Sequence, residues 1–118
     1  MTFLYKYKAL ITSVYDGDTV WAVLDLGFNV LKKTKLRLAG IDTKEMNDPE
    51  HKEQAEAAKK YLKDEIEGKE VEIKSLKPGK YNERYIAFLY KPGDAESYND
   101  KMIKLGYAVP YNGGRRKK

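Results

Sequence analysis

Along most of the chain, apolar residues recur at every second position, and once they switch to a spacing of three and four. Residues Phe3–Tyr15 predict a long or broken strand with Lys6 and Lys8 turned outward. Val20, Ala22, Leu24 and Leu26 alternate with Trp21, Val23 and Asp25, the mark of a half-buried strand. On that register Trp21 points away from Val20 and Ala22, as a partly exposed packing residue. Gly27-Phe28-Asn29 forms a hairpin tip, and Val30–Ile41 returns, with Leu36–Ile41 reading as a buried strand that is apolar apart from Arg37.

The change of period comes next. Asp48-Pro49-Glu50 is a helix start, with Asp as cap, Pro at the first position and an acid in the first turn. Ala55, Ala58, Leu62 and Ile66 make the apolar stripe, and Gly68 closes the helix. His51 falls in the first turn on the polar side, as solvated surface. A fourth strand follows, with Val71, Ile73 and Ser75 alternating against Glu70, Glu72 and Lys74. After the turn-rich loop Leu76–Glu83 comes a fifth, Tyr85–Tyr90, closed by Lys91-Pro92-Gly93-Asp94. A short helix over Ser97–Leu105 ends at Gly106, and Tyr107–Tyr111 is extended. Five strands with one longer helix between the third and fourth, and a short C-terminal helix, suit a closed five-stranded β-barrel of the OB type, an α+β fold.

Composition narrows the chemistry more than the fold. The 118 residues suffice for one domain with a modest core, expected over 1–112, followed by a basic tail over 113–118. There is no cysteine and a single histidine, which excludes disulfides, thiolate chemistry and a multi-histidine zinc site. Any metal would be a hard cation on carboxylate and carbonyl oxygens. The net charge of +5 suits a polyanion, but Arg115-Arg116-Lys117-Lys118 supplies four of those charges, so overall basicity says little about the body. No stretch is long and apolar enough to span a membrane, and the first ten residues lack the pattern of a signal peptide, so a cytoplasmic location is expected. Nothing in the sequence calls for an obligate protein partner, and a monomer is expected.

Two polar groups interrupt the strands. Asp16-Gly17-Asp18-Thr19 is an acidic turn between the first two, and Leu36–Glu45 (LRLAGIDTKE) carries Arg37, Asp42, Thr43 and Glu45 at the end of a third. Asp18 and Asp42 lie at the ends of neighbouring strands, where they can converge. An arginine inside an apolar strand must be paired or face a polar cleft, so Arg37 is either a structural partner of an aspartate or part of a site. Ten tyrosines offer stacking surface. Lys80, Tyr81 and Tyr111 are candidates to grip a phosphate and stack on a base.

Taken in order, DGDTV, then R-x4-DTxE, then Arg84 within YNERYIAFLY resemble the staphylococcal-nuclease-like (thermonuclease) family, over about Ile11 to Tyr111. The resemblance implies the same barrel, with the helix at its foot. It also implies a calcium-dependent nuclease (manganese or magnesium being the alternatives) that hydrolyses the 5′ O–P bond of DNA or RNA with little sequence preference and leaves 3′-phosphates. By the motif match Asp18, Asp42 and Thr43 are the metal ligands, Glu45 the general base, and Arg37 and Arg84 the phosphate-gripping arginines. Two positions depart from the family pattern. Lys44 stands where DTPE has proline, and Asn82-Glu83 separates Tyr81 from Arg84 where the family has Tyr-Gly before the arginine. The alternative is a non-catalytic nucleic-acid-binding module, as in family members that lost the acids; this chain keeps them.

Overall fold

The computed structural model describes residues 5–44, 49–75, 80–81 and 84–111, the side chains of Lys80, Tyr81 and Arg84 excepted. In chain order the strands and helices are β1 (Tyr5–Asp16), β2 (Thr19–Asp25), β3 (Leu31–Leu38), β4 (Ile41–Asp42), α1 (Lys52–Ile66), β5 (Glu70–Ser75), β6 (Lys80–Tyr81), β7 (Arg84–Tyr90), α2 (Tyr98–Lys104) and β8 (Val109–Pro110). Strands β3, β2, β1, β5 and β7 pair in that order, all antiparallel, and a parallel pairing of β3 with β7 closes the ring. The result is a closed five-stranded barrel, the expected fold. The small β6 extends β7, and β4 pairs with β8 outside the ring.

Period-two alternation explains the core. Ala9 and Ile11 of β1, Val20, Ala22 and Leu24 of β2, Leu36 and Leu38 of β3, Val71 and Ile73 of β5, and Ala87 and Leu89 of β7 are all buried inside. Their neighbours on each strand face out. Lys6 and Lys8 are exposed and Trp21 is half-buried, as the register requires. Helix α1 buries the predicted stripe, Ala55, Ala58, Leu62 and Ile66, against this core. Burying each of its two large side chains stabilises the fold by roughly 1.5–3 kcal/mol.

Several boundaries differ from the sequence reading, each for a local reason. The third strand does not run through to Ile41: it stops at Leu38, and Gly40 (φ 73°) turns the chain before β4. Only glycine adopts that backbone freely. Helix α1 begins at Lys52, with Pro49 and Glu50 in a turn ahead of it; Asp48, the expected cap, lies outside the described residues. His51 takes the capping position through its backbone, its carbonyl accepting from the Ala55 N–H at 3.0 Å, and it is half-buried rather than solvated. At the other end Gly68 (φ 77°) follows the cap residue Glu67, as predicted, and its N–H donates to the Ile11 carbonyl at 2.7 Å. That bond ties the α1–β5 turn to β1.

The short helix α2 is capped by Ser97, whose side chain accepts from the Asp100 N–H at 3.1 Å. Its buried Asn99 sits beside the end of β3. The amide donates to the carbonyls of Ala39 at 2.7 Å and Ala87 at 3.2 Å, and its oxygen accepts from the Leu89 N–H at 3.1 Å. These bonds hold the β3–β4 break against β7.

Candidate nuclease site

The site forms where β1 turns into β2 and β3 breaks into β4. The register places Thr19 opposite Arg37 and Val20 opposite Leu36, so the DGDT turn sits beside the end of β3. The Leu38 N–H donates to the Asp18 carbonyl at 2.9 Å and fixes that neighbourhood. Gly17 is needed for close approach. A Cβ there would stand 2.9 Å from the Ala58 Cβ and 3.0 Å from both Cγ2 and Oγ1 of Thr43. The missing side chain therefore lets the turn rest on α1 and on Thr43, just after β4, at once.

Asp18, Arg37 and Thr43 are buried, and Asp42 is half-buried. Arg37 Nη1 donates to the Leu38 carbonyl and Nη2 to the Ile41 carbonyl, each at 2.9 Å. The guanidinium thus spans the β3–β4 break and is locked in plane. The same nitrogens face two carboxylates: Nη1 lies 3.6 Å from Asp18 Oδ2 and Nη2 lies 3.7 Å from Asp42 Oδ1. Those separations are ion pairs beyond hydrogen-bond length. Tyr111, whose N–H donates to the Gly40 carbonyl at 2.8 Å, holds its ring 5.7 Å from the guanidinium carbon.

Asp18 is the best-connected acid. Its Oδ1 accepts from the Thr19 hydroxyl at 3.1 Å, and its Oδ2 from the Thr43 hydroxyl at 3.3 Å and the Thr43 N–H at 3.4 Å. Burial alone would raise its pKa, but a hydrogen bond from the Asp16 carboxyl, the Arg37 charge and the threonine donors outweigh that and lower it. Asp16 goes the other way. Burial, the shared hydrogen bond and the charge of Asp18 push it up to about 6.

The sequence-predicted residues therefore divide into three groups. Asp18, Arg37, Asp42 and Thr43 come together, with Tyr111 alongside. Glu45 lies outside the described residues. Lys80, Tyr81 and Arg84 are placed by backbone alone: Tyr81 pairs with Arg84, and Arg84 starts β7 two residues before Ile86, the backbone partner of Arg37. Sequence reasoning treated Asp16 as turn chemistry and missed its contact with Asp18. The available signal was the two-residue spacing of the acids, which points both into one turn. Among the described residues, no three His, Cys, Asp or Glu side chains gather as a ready-made metal cluster.

Chemically, the Asp18 and Asp42 carboxyl groups flank one fixed guanidinium whose donors suit an oxyanion. Among the described residues no helix is long and apolar enough to cross a membrane. No curated protein matches the chain. The family described as staphylococcal nuclease homologue matches residues 35–118, a span that takes in Arg37, Asp42 and Thr43 and begins after the DGDT turn. The chain belongs to the staphylococcal nuclease homologue family.

Proposed function

We propose that the protein is a metal-dependent nuclease that hydrolyses phosphodiester bonds of DNA or RNA with little sequence preference. Membership of the family supports nuclease-like or nucleic-acid-binding action. The observation that carries the catalytic reading over simple binding is the convergence of Asp18, Asp42 and Arg37, a guanidinium between two carboxyl groups that packing of an apolar core does not call for.

The donor set fits a hard divalent cation, calcium first, with manganese or magnesium as alternatives. Asp18 and Asp42 offer carboxylate oxygens and Thr43 its main-chain oxygen, and both acids face Arg37 at ion-pair distance, 3.6 and 3.7 Å. When bound, such a cation neutralises phosphate oxygens and lowers the pKa of water.

The chain's own residues supply the rest. Arg37 still has donors beyond those given to Leu38 and Ile41, and they are fixed in direction, so a phosphate entering beside Asp42 meets a preorganised positive charge. Glu45, two residues after Thr43, is the proposed general base that takes the proton of the attacking water. Arg84 is the proposed second phosphate clamp, with Lys80, Tyr81 and Tyr111 along the strand that carries the scissile bond. No covalent intermediate is called for.

The first test is cleavage of labelled single-stranded DNA by the wild-type protein with calcium and with EDTA. Fragmentation that requires the metal and ends in 3′-phosphates supports the reading. Binding without cleavage under calcium, manganese and magnesium alike favours a non-catalytic module.

A further inference from the structure

The outer face of the β1–β2–β3 sheet has an organisation that neither the core nor the site requires. On β3, Lys33, Lys35 and Arg37 share one face, because Thr34, Leu36 and Leu38 between and beyond them are buried inside the barrel. Alternate residues of a strand lie roughly 6.6 Å apart, a repeat comparable to that of successive phosphates on an extended polynucleotide. The row therefore runs straight into Arg37, the cation between the two site aspartates.

Aromatic rings flank the same row. Lys35 stands opposite Trp21 on β2, with its Nζ 5.3 Å from the Trp21 ring centre and 4.8 Å from that of Tyr15 on β1. Lys33 Nζ lies 5.9 Å from the Trp21 ring. The rings hold the lysine stems upright without neutralising their charge. Tyr15 sits within a β-bulge between Val14 and Asp16 and is 58% exposed, although it is large and aromatic. The acids of these three strands sit at their ends, with Asp16 of β1 beside Asp18 at the site end. Strands β2 and β3 together carry Asp25 alone, at the far end, where its carboxylate accepts the Gly27 N–H; Glu70 and Glu72 lie on β5, beyond β1.

We propose that this face is a track for single-stranded nucleic acid, with Lys33 and Lys35 gripping the phosphates next to the one held by Arg37, and Tyr15 stacking on a base. The assignment deepens the nuclease reading by extending its substrate to a strand several nucleotides long. Trp21 is a positioning residue that orients Lys35.

The test is the affinity of a fluorescent twelve-nucleotide single strand, measured in EDTA across a salt series. Each phosphate contact with a single strand contributes about 0.7 to the slope of log affinity against log salt. The double variant K33A/K35A is expected to lower the slope by about 1.4 and to weaken binding at least tenfold at low salt. Stacking is worth roughly fivefold or more per base, and Tyr15→Ala is expected to lose that much. A double variant of exposed helix lysines, K52A/K60A, removes the same charge elsewhere and is expected to leave the slope as it is. Circular dichroism and thermal melting confirm folding of each variant. An unchanged slope in K33A/K35A, or an equal fall in K52A/K60A, overturns the track. A wild-type protein that binds with the expected slope but never cuts under any metal sinks the nuclease reading alone. One that cuts while K33A/K35A binds as tightly as wild type sinks the track alone.

Discussion

Arg37 Nη1 stands 3.6 Å from Asp18 Oδ2, close enough to balance its charge and too far to hydrogen-bond it. The guanidinium is held there by the Leu38 and Ile41 carbonyls, so its position does not depend on the aspartate it faces. That separation of support from pairing lets one residue close the β3–β4 break and still present charge to a ligand.

Replacing Arg37 by lysine therefore has two effects that can be read apart. A single ammonium cannot serve two carbonyls and a phosphate in one plane. Turnover is expected to fall by at least about a hundredfold, and stability in EDTA by roughly 2–4 kcal/mol as buried carbonyls and carboxylates lose their partner. Urea unfolding and single-strand cleavage measure both. A destabilised variant with normal turnover would leave Arg37 a purely structural ion pair.

Gly17→Ala places a methyl group 2.9 Å from the Ala58 Cβ and 3.0 Å from Thr43. Overpacking of this kind costs about 1–3 kcal/mol, and here it pushes on a residue that hydrogen-bonds Asp18. Metal affinity is expected to fall along with stability. The double variant with Ala58→Gly should recover part of the loss beyond additivity, measured as a double-mutant cycle. Strict additivity would show that the turn and α1 do not press on each other.

The Asp16–Asp18 pair makes the metal-free protein sensitive to pH in a definite direction. Asp16 is raised to about 6, so the stability it contributes is complete below the ordinary carboxylate range and is lost as pH climbs to about 6. Asp18 is lowered, so its contribution is present above that range and lost on acidification. Asp16→Asn is expected to stabilise the EDTA-treated protein at pH 7.5 by about 1 kcal/mol, discounted for partial solvent screening. Near pH 4 the gain should vanish. A gain independent of pH would mean that the two carboxyls do not share a proton.

Asn99→Ala removes three hydrogen bonds that hold Ala39, Ala87 and Leu89 together. Leaving these backbone groups unpaired is expected to cost about 2–4 kcal/mol, with the first hydrogen-exchange openings at Ala39–Asp42. Uniform loss of protection over the whole barrel would contradict the assigned role of a local brace.

Much of this arrangement was legible in the sequence where the signal is local. The alternation of Val20, Ala22 and Leu24 and the stripe Ala55, Ala58, Leu62 and Ile66 gave the faces that are buried. The two motifs DGDT and R-x4-DT gave residues that meet in space. What was hidden depends on contacts distant in sequence. Gly40 breaks a run that is otherwise apolar enough to read as one strand, and only its positive φ and the β4–β8 pairing reveal the turn. Asn99 reads as an ordinary polar residue of a short helix, because its partner Ala39 lies 60 positions away. Asp16 reads as turn chemistry, because its altered acidity comes from burial and from Asp18.

The most direct test of the central claim is the cleavage rate of labelled single-stranded DNA in saturating calcium, compared between wild type and Glu45→Gln. The amide is nearly isosteric and cannot accept a proton from water. Turnover is expected to fall by at least about a thousandfold while strand affinity stays within about twofold. Cleavage by the variant within about tenfold of wild type would contradict the assignment of Glu45 as the base and, with it, the proposed hydrolytic mechanism.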